Sequence, residues 1–288
     1  MKTLGEVYRE GRRFLSGAGI EGPGFEADCL FEKAFGLDRQ ERILRSEQPA
    51  EPEAAKRYRG FIRERCGGRP LQYLLGEWPF CGRNLSVGEG VLIPREETEL
   101  LVKTAAAMLE ELPAPEILDL CSGTGAVALA LAGRFPGARV CAAEWMKPAL
   151  GYLNRNLARS GLPNVWAVRL DVLNPESARR FRNLDCIVSN PPYVRAGELP
   201  GLQREVRREP REALDGGADG LKFYRALAAD WIPALQNGGA LCVEVGENQA
   251  GPVADLFRGA GLSGIRFDRD FNGIDRVVSG RFSGRNRG

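Results

Sequence analysis

The stretch DCIVSNPPYVR, Asp185 to Arg195, gathers groups with a clear chemical leaning. Cys186, Ile187 and Val188 form a short apolar run that ends in polar Ser189 and Asn190, which reads as a buried strand. Pro191 and Pro192 then lock two successive φ angles and remove two backbone N–H donors. Asn190, preceding a proline, is pushed out of the helical region. The strand therefore ends in a stiff corner rich in acceptors, with an amide at its start and the ring of Tyr193 at its end. Such a corner can hold the two hydrogens of an –NH2 group.

A second cluster lies upstream. ILDLCSGTGAVALALA (117–132) places Gly123 and Gly125 between a strand and a helix, where glycine lets backbone approach a ligand beside free helix N–H groups. There is no GxxxxGK[ST], which excludes a triphosphate loop at this position. Asp119, just before the loop, disfavours a pyrophosphate. Glu144 ends the next strand about 20 residues on, where a carboxylate accepts two ribose hydroxyls. Asp171 ends the third strand, within reach of an adenine amine. A ligand with a ribose and no phosphate suits these residues: S-adenosylmethionine. Beside such a methyl donor the Asn190 corner acquires a role. An amide or aromatic amino nitrogen is a poor nucleophile because its lone pair is delocalised. The Asn190 side-chain oxygen and a proline-locked carbonyl can accept its two N–H hydrogens, aim the lone pair and stabilise developing positive charge. Tyr193 can flank the planar group.

Composition limits the alternatives. The 288 residues include no histidine, which excludes imidazole triads, bases and metal sites. Seven cysteines lack any CxxC spacing, and Cys121, Cys141, Cys186 and Cys242 sit in or beside apolar runs, as small core residues do. A formal net charge of +2 gives no dominant field for nucleic acid or membrane. The N-terminus MKTLGEVYREGRRF has no apolar signal region, and no apolar run approaches the ~20 residues that span a bilayer, so a cytoplasmic protein is expected.

Helical spacing dominates residues 1 to about 80, in TLGEVYREGRRFL, FEADCLFEKAFGL and PEAAKRYRGFIRERCGG, and predicts a small bundle. WPFCGRNLSVGEGVLIP then alternates around glycines like a β-hairpin linker, and Glu96 to Leu112 returns to helix. From EILDL onward strands and helices alternate, and GIRFDRD with DRVVSGRF closes the chain as an antiparallel pair. Alternating β and α predicts a parallel sheet covered on both faces, with ligands beyond the carboxyl ends of its strands. The tail SGRNRG is expected to fray.

These motifs together resemble the peptide chain release factor N(5)-glutamine methyltransferases, the PrmC/HemK family. The resemblance is carried by RPLQYLLGEWPFCGRNLSV (69–87), VLIPREETELLV (91–102), ILDLCSGTGAVALALA (117–132), VSNPPYV (188–194), REPREALDGGADGLKFYRAL (208–227), EVGENQ (244–249) and DFNGIDRVVSGR (270–281). It implies an α/β, class I, Rossmann-like methyltransferase with a mostly parallel seven-stranded sheet. The implied division is a helical substrate-recognition domain (1–79), a β-hairpin linker (80–93) and a catalytic domain (94–288). The implied reaction is methylation of the glutamine side chain in the Gly-Gly-Gln motif of bacterial release factors, by a monomer without membrane or nucleic-acid contact. S-adenosylmethionine contacts are implied at Cys121, Ser122, Gly123, Thr124, Gly125, Glu144 and Asn190, alongside Asp119, Asp171 and Val172. The glutamine is implied to bind Asn190, Pro191, Pro192 and Tyr193.

The chain departs from the family pattern at four places. Cys121 stands where a glycine is usual, and Glu144 where aspartate is usual. Val172 replaces an aromatic residue, leaving Trp145 as another surface for adenine, and Arg95 replaces a proline. Three other readings compete. A ribosomal-protein glutamine methyltransferase shares nearly all the motifs. A DNA adenine amino-methyltransferase would share the chemistry but calls for a basic face, whereas the N-terminal arginines are offset by glutamates. A module that only binds S-adenosylmethionine would not need the Asn190 corner.

Overall fold

The computed structural model describes residues 1–284. They form two compact units, Met1–Trp78 together with Gln203–Arg208, and Pro79–Leu202 together with Glu209 onward.

The first unit is a helical bundle of α1 (Leu4–Gly17), α2 (Pro23–Phe35), α3 (Arg39–Leu44), α4 (Pro52–Cys66) and α5 (Leu71–Leu75). Its helix starts are written in local chemistry. Thr3 with Glu6 and Asp38 with Glu41 form reciprocal capping boxes, and prolines open α2 and α4, where a missing N–H costs nothing. Leu15, Leu30, Phe31 and Tyr58 are fully buried at its centre. Phe31 stacks on Phe35 at 4.2 Å and meets Tyr58 edge-on at 5.3 Å. The three long helices lie where helical spacing predicts them. The five- and six-residue helices α5 and α3 were not foreseen, because so few turns carry no readable period. Nor does the sequence announce that six residues from beyond position 200 belong to this unit. They are held by Arg65, whose buried guanidinium binds Glu26 at 2.6 and 2.9 Å and Glu205 at 2.9 Å.

Strands β1 (Glu77–Phe80) and β2 (Arg83–Ser86) make the expected hairpin. Its two turn residues, Cys81 and Gly82, both have positive φ, 45° and 73°, the twist a two-residue hairpin turn needs. Residues 87–93 continue without regular structure.

In the second unit, α6 (Thr98–Leu109) precedes β3 (Glu116–Leu120), α7 (Ala126–Arg134), β4 (Arg139–Glu144), α8 (Lys147–Ser160), β5 (Val165–Arg169), α9 (Pro175–Ala178) and β6 (Leu184–Ser189). Then come α10 (Lys222–Ala226), β7 (Leu235–Glu244), α11 (Ala250–Gly259), β8 (Leu262–Arg269) and β9 (Asp275–Phe282). The seven-stranded sheet runs β5-β4-β3-β6-β7-β9-β8. Its first five strands are parallel, and β9 enters antiparallel between β7 and β8. Period-two alternation sends Leu118, Leu120, Ile187, Leu241 and Val243 into a core with Tyr224, Trp231 and Phe257. Ile117, Val140, Cys186, Val188 and Cys242 face the opposite core, with Leu101, Leu109 and Leu131. Cys141, Cys186 and Cys242 are buried free thiols within these cores, the small hydrophobes expected. The helix anticipated from Leu221 to Leu235 begins as α10 but continues through a π turn and a 3₁₀ turn around Pro233, where the proline lacks the N–H that an α-helix needs.

Candidate active site

β3 pairs with β4 on one side and with β6 on the other, so the chain order reverses between β3 and β6. The register Leu120↔Ser189 brings both carboxyl ends level. Beyond them opens a crevice of about 650 Å³, at the switch point where open α/β sheets take ligands.

The loop from β3 to α7 forms one wall. Cys121, Gly123 and Gly125 adopt left-handed φ of 60°, 56° and 83°. Glycine holds that region freely, whereas Cys121 carries roughly 1 kcal/mol of strain there. Gly125 has a second reason: a Cβ would lie 2.5 Å from Leu153 Cδ1. Asn156 braces the loop from α8, donating to the Thr124 carbonyl at 2.9 Å and accepting the Ser86 N–H at 2.7 Å. Ser122 donates to the Asp119 carbonyl at 2.8 Å.

Three acids stand on the three successive strand ends, as the spacing predicted, in different states. Asp119 is 1% exposed and accepts the Ala128 N–H at 3.1 Å. Burial pushes its carboxyl up to about 7, against the hydrogen bonds from Ser122 and Ala128. Glu144 accepts Gly123 N–H at 2.9 Å on one oxygen and Met146 N–H at 2.7 Å on the other. Burial raises its pKa also. Each of its oxygens retains a lone pair, the capacity a ribose diol requires. Asp171 is half-buried, and its Oδ1 accepts the Leu173 N–H at 2.9 Å. Val172 is tied to the core by its carbonyl, which accepts Trp231 Nε1–H at 3.0 Å. Trp145 stands 49% exposed at the rim with the Arg169 guanidinium 4.5 Å from its ring centroid. A flat apolar face is therefore available there.

The opposite wall is the Asn190 corner. Asn190 and Pro192 line the crevice with Asp119, Cys121, Ser122, Gly123, Thr124, Glu144, Asp171 and Val172. Gly125, Pro191 and Tyr193 do not line it. Tyr193 instead packs against the core, its hydroxyl 3.4 Å from Glu244 Oε1 and its carbonyl accepting from Gln249 Nε2 at 2.9 Å. Its anticipated place flanking a planar ligand group is thus not where the structure puts it. One close neighbour explains this: the ring lies against Gly246, where a Cβ would come to 3.0 Å from it. The Asn190 amide nitrogen donates to Thr98 Oγ1 at 3.1 Å, and Thr98 donates to Glu244 Oε2 at 2.6 Å.

Sequence reasoning missed Thr98, Phe223 and most of the stretch 210–217, which border the crevice, and Glu244, which stands behind Thr98. Their stretches, VLIPREETELLV, EVGENQ and REPREALDGGADGLKFYRAL, carried the resemblance without any residue receiving a role. The structure accounts for Arg95: it is ion-paired with Glu209, whose side chain is 1% exposed and whose other oxygen accepts the Ile93 N–H at 2.9 Å.

Family models match the chain as a PrmC N-terminal domain over residues 6–76 and a methyltransferase small domain over residues 96–217. A release factor glutamine methyltransferase of Geobacter sulfurreducens is 40% identical to it, across 97% of this chain and 96% of the relative. One of Moorella thermoacetica is 39% identical, across 90% and 91%. The chain belongs to the release factor glutamine methyltransferase family. Among solved structures, the hMettl16 catalytic domain in complex with MAT2A 3'UTR hairpin 6 superposes with a TM-score of 0.56 at 12% identity, over 70% of this chain and 77% of that one. The likeness extends to the fold, a class I methyltransferase sheet. For this family fold the donor is S-adenosylmethionine, and the crevice fits it: a glycine at Gly123 leaves the loop face open, and Glu144 keeps lone pairs on both oxygens.

Proposed function

We propose that this protein methylates the side-chain amide nitrogen of the glutamine in the Gly-Gly-Gln motif of bacterial peptide chain release factors, with S-adenosylmethionine as donor. The observation that carries the reading is the Asn190 corner on the crevice, whose amide nitrogen is engaged by Thr98 so that its oxygen remains as acceptor. The bound donor supplies an electrophilic methyl group on a sulfonium. Glu144 would hold the ribose hydroxyls, Asp171 the adenine amine, and Val172 with Trp145 the faces of the base. Asn190 Oδ1 and a carbonyl of the proline corner accept the two hydrogens of the substrate amide, aligning its lone pair and taking up positive charge as the N–C bond forms. As the N–C bond forms the sulfonium S–CH3 bond would break, leaving a neutral thioether, and the amide proton, acidic only then, would pass to solvent, so no base is required before transfer.

The helical unit is the part we assign to recognition of a folded protein substrate, on the strength of its mixed-charge surface. A cytoplasmic monomer acting without membrane or nucleic acid completes the reading; among the described residues no helix is long and apolar enough to cross a bilayer. The test is mass spectrometry of purified release factors and ribosomal proteins after incubation with the enzyme and isotopically labelled S-adenosylmethionine. Label on the Gly-Gly-Gln glutamine is expected. Label confined to a ribosomal protein, or comparable label on adenine-containing DNA, would overturn the substrate assignment.

A further inference from the structure

Behind the Asn190 corner lies a buried polar chain that joins residues far apart in sequence. Thr98, at the start of α6, is 4% exposed, and Glu244, at the end of β7, is 2% exposed. The Thr98 hydroxyl donates to Glu244 Oε2 at 2.6 Å and receives Asn190 Nδ2–H at 3.1 Å. A hydroxyl has one hydrogen and a carboxylate has none. With its hydrogen committed to Glu244, Thr98 can only accept from Asn190. The amide must therefore turn its nitrogen to Thr98, and its oxygen becomes the free end. An amide rotated by 180° would meet a lone pair with a lone pair at Thr98, and would present donors to the two N–H hydrogens of the substrate.

We propose that Glu244, acting through Thr98, is a positioning residue that fixes which end of the Asn190 amide faces the crevice. The inference rests on the assignment of Asn190 to the substrate amide and adds to it the group that sets its polarity. The groups facing Glu244 are drawn from every element around it. They are Thr98 and Glu97 at the start of α6, Tyr193 at the corner, Tyr224 of α10, whose hydroxyl donates to the Glu244 carbonyl at 2.8 Å, and Arg276 of β9, itself bound to Asp270 at 2.9 Å. Burial pushes the Glu244 carboxyl up to about 7, with Glu97 acting in the same direction and Thr98 and Arg276 opposing. Protonation adds a hydrogen from solvent to Glu244, which can then donate to Thr98. The threonine hydrogen is released toward Asn190, and the amide is favoured in its reversed, unproductive orientation. The relay thus makes methyl transfer depend on the charge of a residue that never meets the substrate.

Two readouts on the full-length protein test this. In protein labelled with ¹⁵N-asparagine, the Asn190 side-chain signal is identified by its loss in Asn190→Ala. Its protection from hydrogen exchange, relative to a free amide, should be at least about tenfold in wild type, absent in Thr98→Val and retained in Thr98→Ser. The protection should fall as pH is lowered through about 7 in wild type and be low at every pH in Glu244→Gln, whose amide can donate to Thr98 as the protonated acid does. In steady-state kinetics with release factor, Thr98→Val should lower kcat about 30-fold with the cofactor KM within about twofold, while Thr98→Ser stays within about threefold. Glu244→Gln, uncharged at every pH and able to donate an amide hydrogen to Thr98, should hold kcat near the wild-type acid-side level throughout and lose the acid limb of the profile. An unprotected Asn190 amide in wild type, a Thr98→Val enzyme with wild-type kcat, or an unchanged acid limb in Glu244→Gln would each overturn the relay. A wild-type enzyme inactive on release factors, with amide protection that follows Thr98 and Glu244 as stated, would remove the glutamine reading and leave the relay standing.

Discussion

The two walls of the crevice solve different problems with different materials. The wall made by β3, β4 and β5 is built from neighbours in sequence: a loop of five residues, its helix, and one acid at each strand end. Glu144 closes on the Gly123 and Met146 amides, and Asp119 on the Ala128 amide, so backbone N–H groups do most of the holding. The wall made by β6 presents a single amide, whose nitrogen is bound by one side chain 92 positions before it, Thr98, and through Thr98 by one from the end of β7. Binding a cofactor needs affinity that is equal in ground and transition states, and local backbone geometry can supply it. Activating a weak nucleophile needs acceptors of one polarity where charge develops, and that calls for a rigid, longer-range support. The contrast teaches that damage to the first wall should appear in cofactor affinity and damage to the second in turnover.

The largest effect should come from Asn190→Ala. We expect kcat to fall at least about 1,000-fold, as for loss of an oriented group that stabilises transition-state charge. Cofactor affinity by calorimetry should weaken by no more than roughly tenfold, and normal turnover would remove the assigned role. Next is Glu144→Ala. Two hydrogen bonds to a charged acceptor contribute about 3 kcal/mol, so cofactor affinity should drop about 100-fold with kcat at saturation preserved. Wild-type affinity in that variant would show that the ribose lies elsewhere.

Arg95→Ala leaves the buried Glu209 carboxylate without its ion-pair partner. Because the guanidinium is partly exposed, a loss of about 2 kcal/mol in unfolding free energy is expected, below the range for a fully buried pair. Urea unfolding measures it, and Arg95→Lys should recover part. A fourth test uses pH. Asp119 has its folded pKa raised from 3.8 to about 7, so the folded state holds the proton more tightly than the unfolded chain. That contribution to stability is complete below the unfolded value and is lost as pH rises through about 7. Asp119→Asn should therefore flatten the decline of Tm between those limits; an unchanged pH dependence would mean that other groups carry it. The smallest effect is expected from Cys121→Gly. Relief of left-handed strain, about 1 kcal/mol, is offset by glycine's greater entropy in the unfolded chain, so stability and cofactor affinity should both stay near wild type. A loss above tenfold in affinity would show that the thiol itself contributes to the site.

The same contrast governs what could be read in advance. The glycine loop, Glu144 and Asp171 were legible because each occupies a fixed place in a βα repeat, and the repeat is written as hydrophobic period. Asn190 was legible because two prolines after a strand have strong local consequences. Tyr193 was placed on the crevice by its proximity to Asn190, yet the packing of its ring against Gly246 turned it inward. Arg95 had no interpretation until Glu209 lay beside it, because charge pairing across more than a hundred residues leaves no trace in spacing.

The sequence by itself determined the alternation of strands and helices, the loop that opens the crevice, the acids at its strand ends and the acceptor corner opposite. These follow from dihedral preferences and from side-chain periods of two and 3.6, which act over a few residues. Only the tertiary structure decided that the crevice falls between β3 and β6, that Gln203–Arg208 joins the helical unit, and that Thr98 and Glu244 stand behind Asn190. Each of these depends on strand order or on a buried hydrogen bond between distant segments. Such contacts form only once the core excludes water and leaves a polar group no other partner.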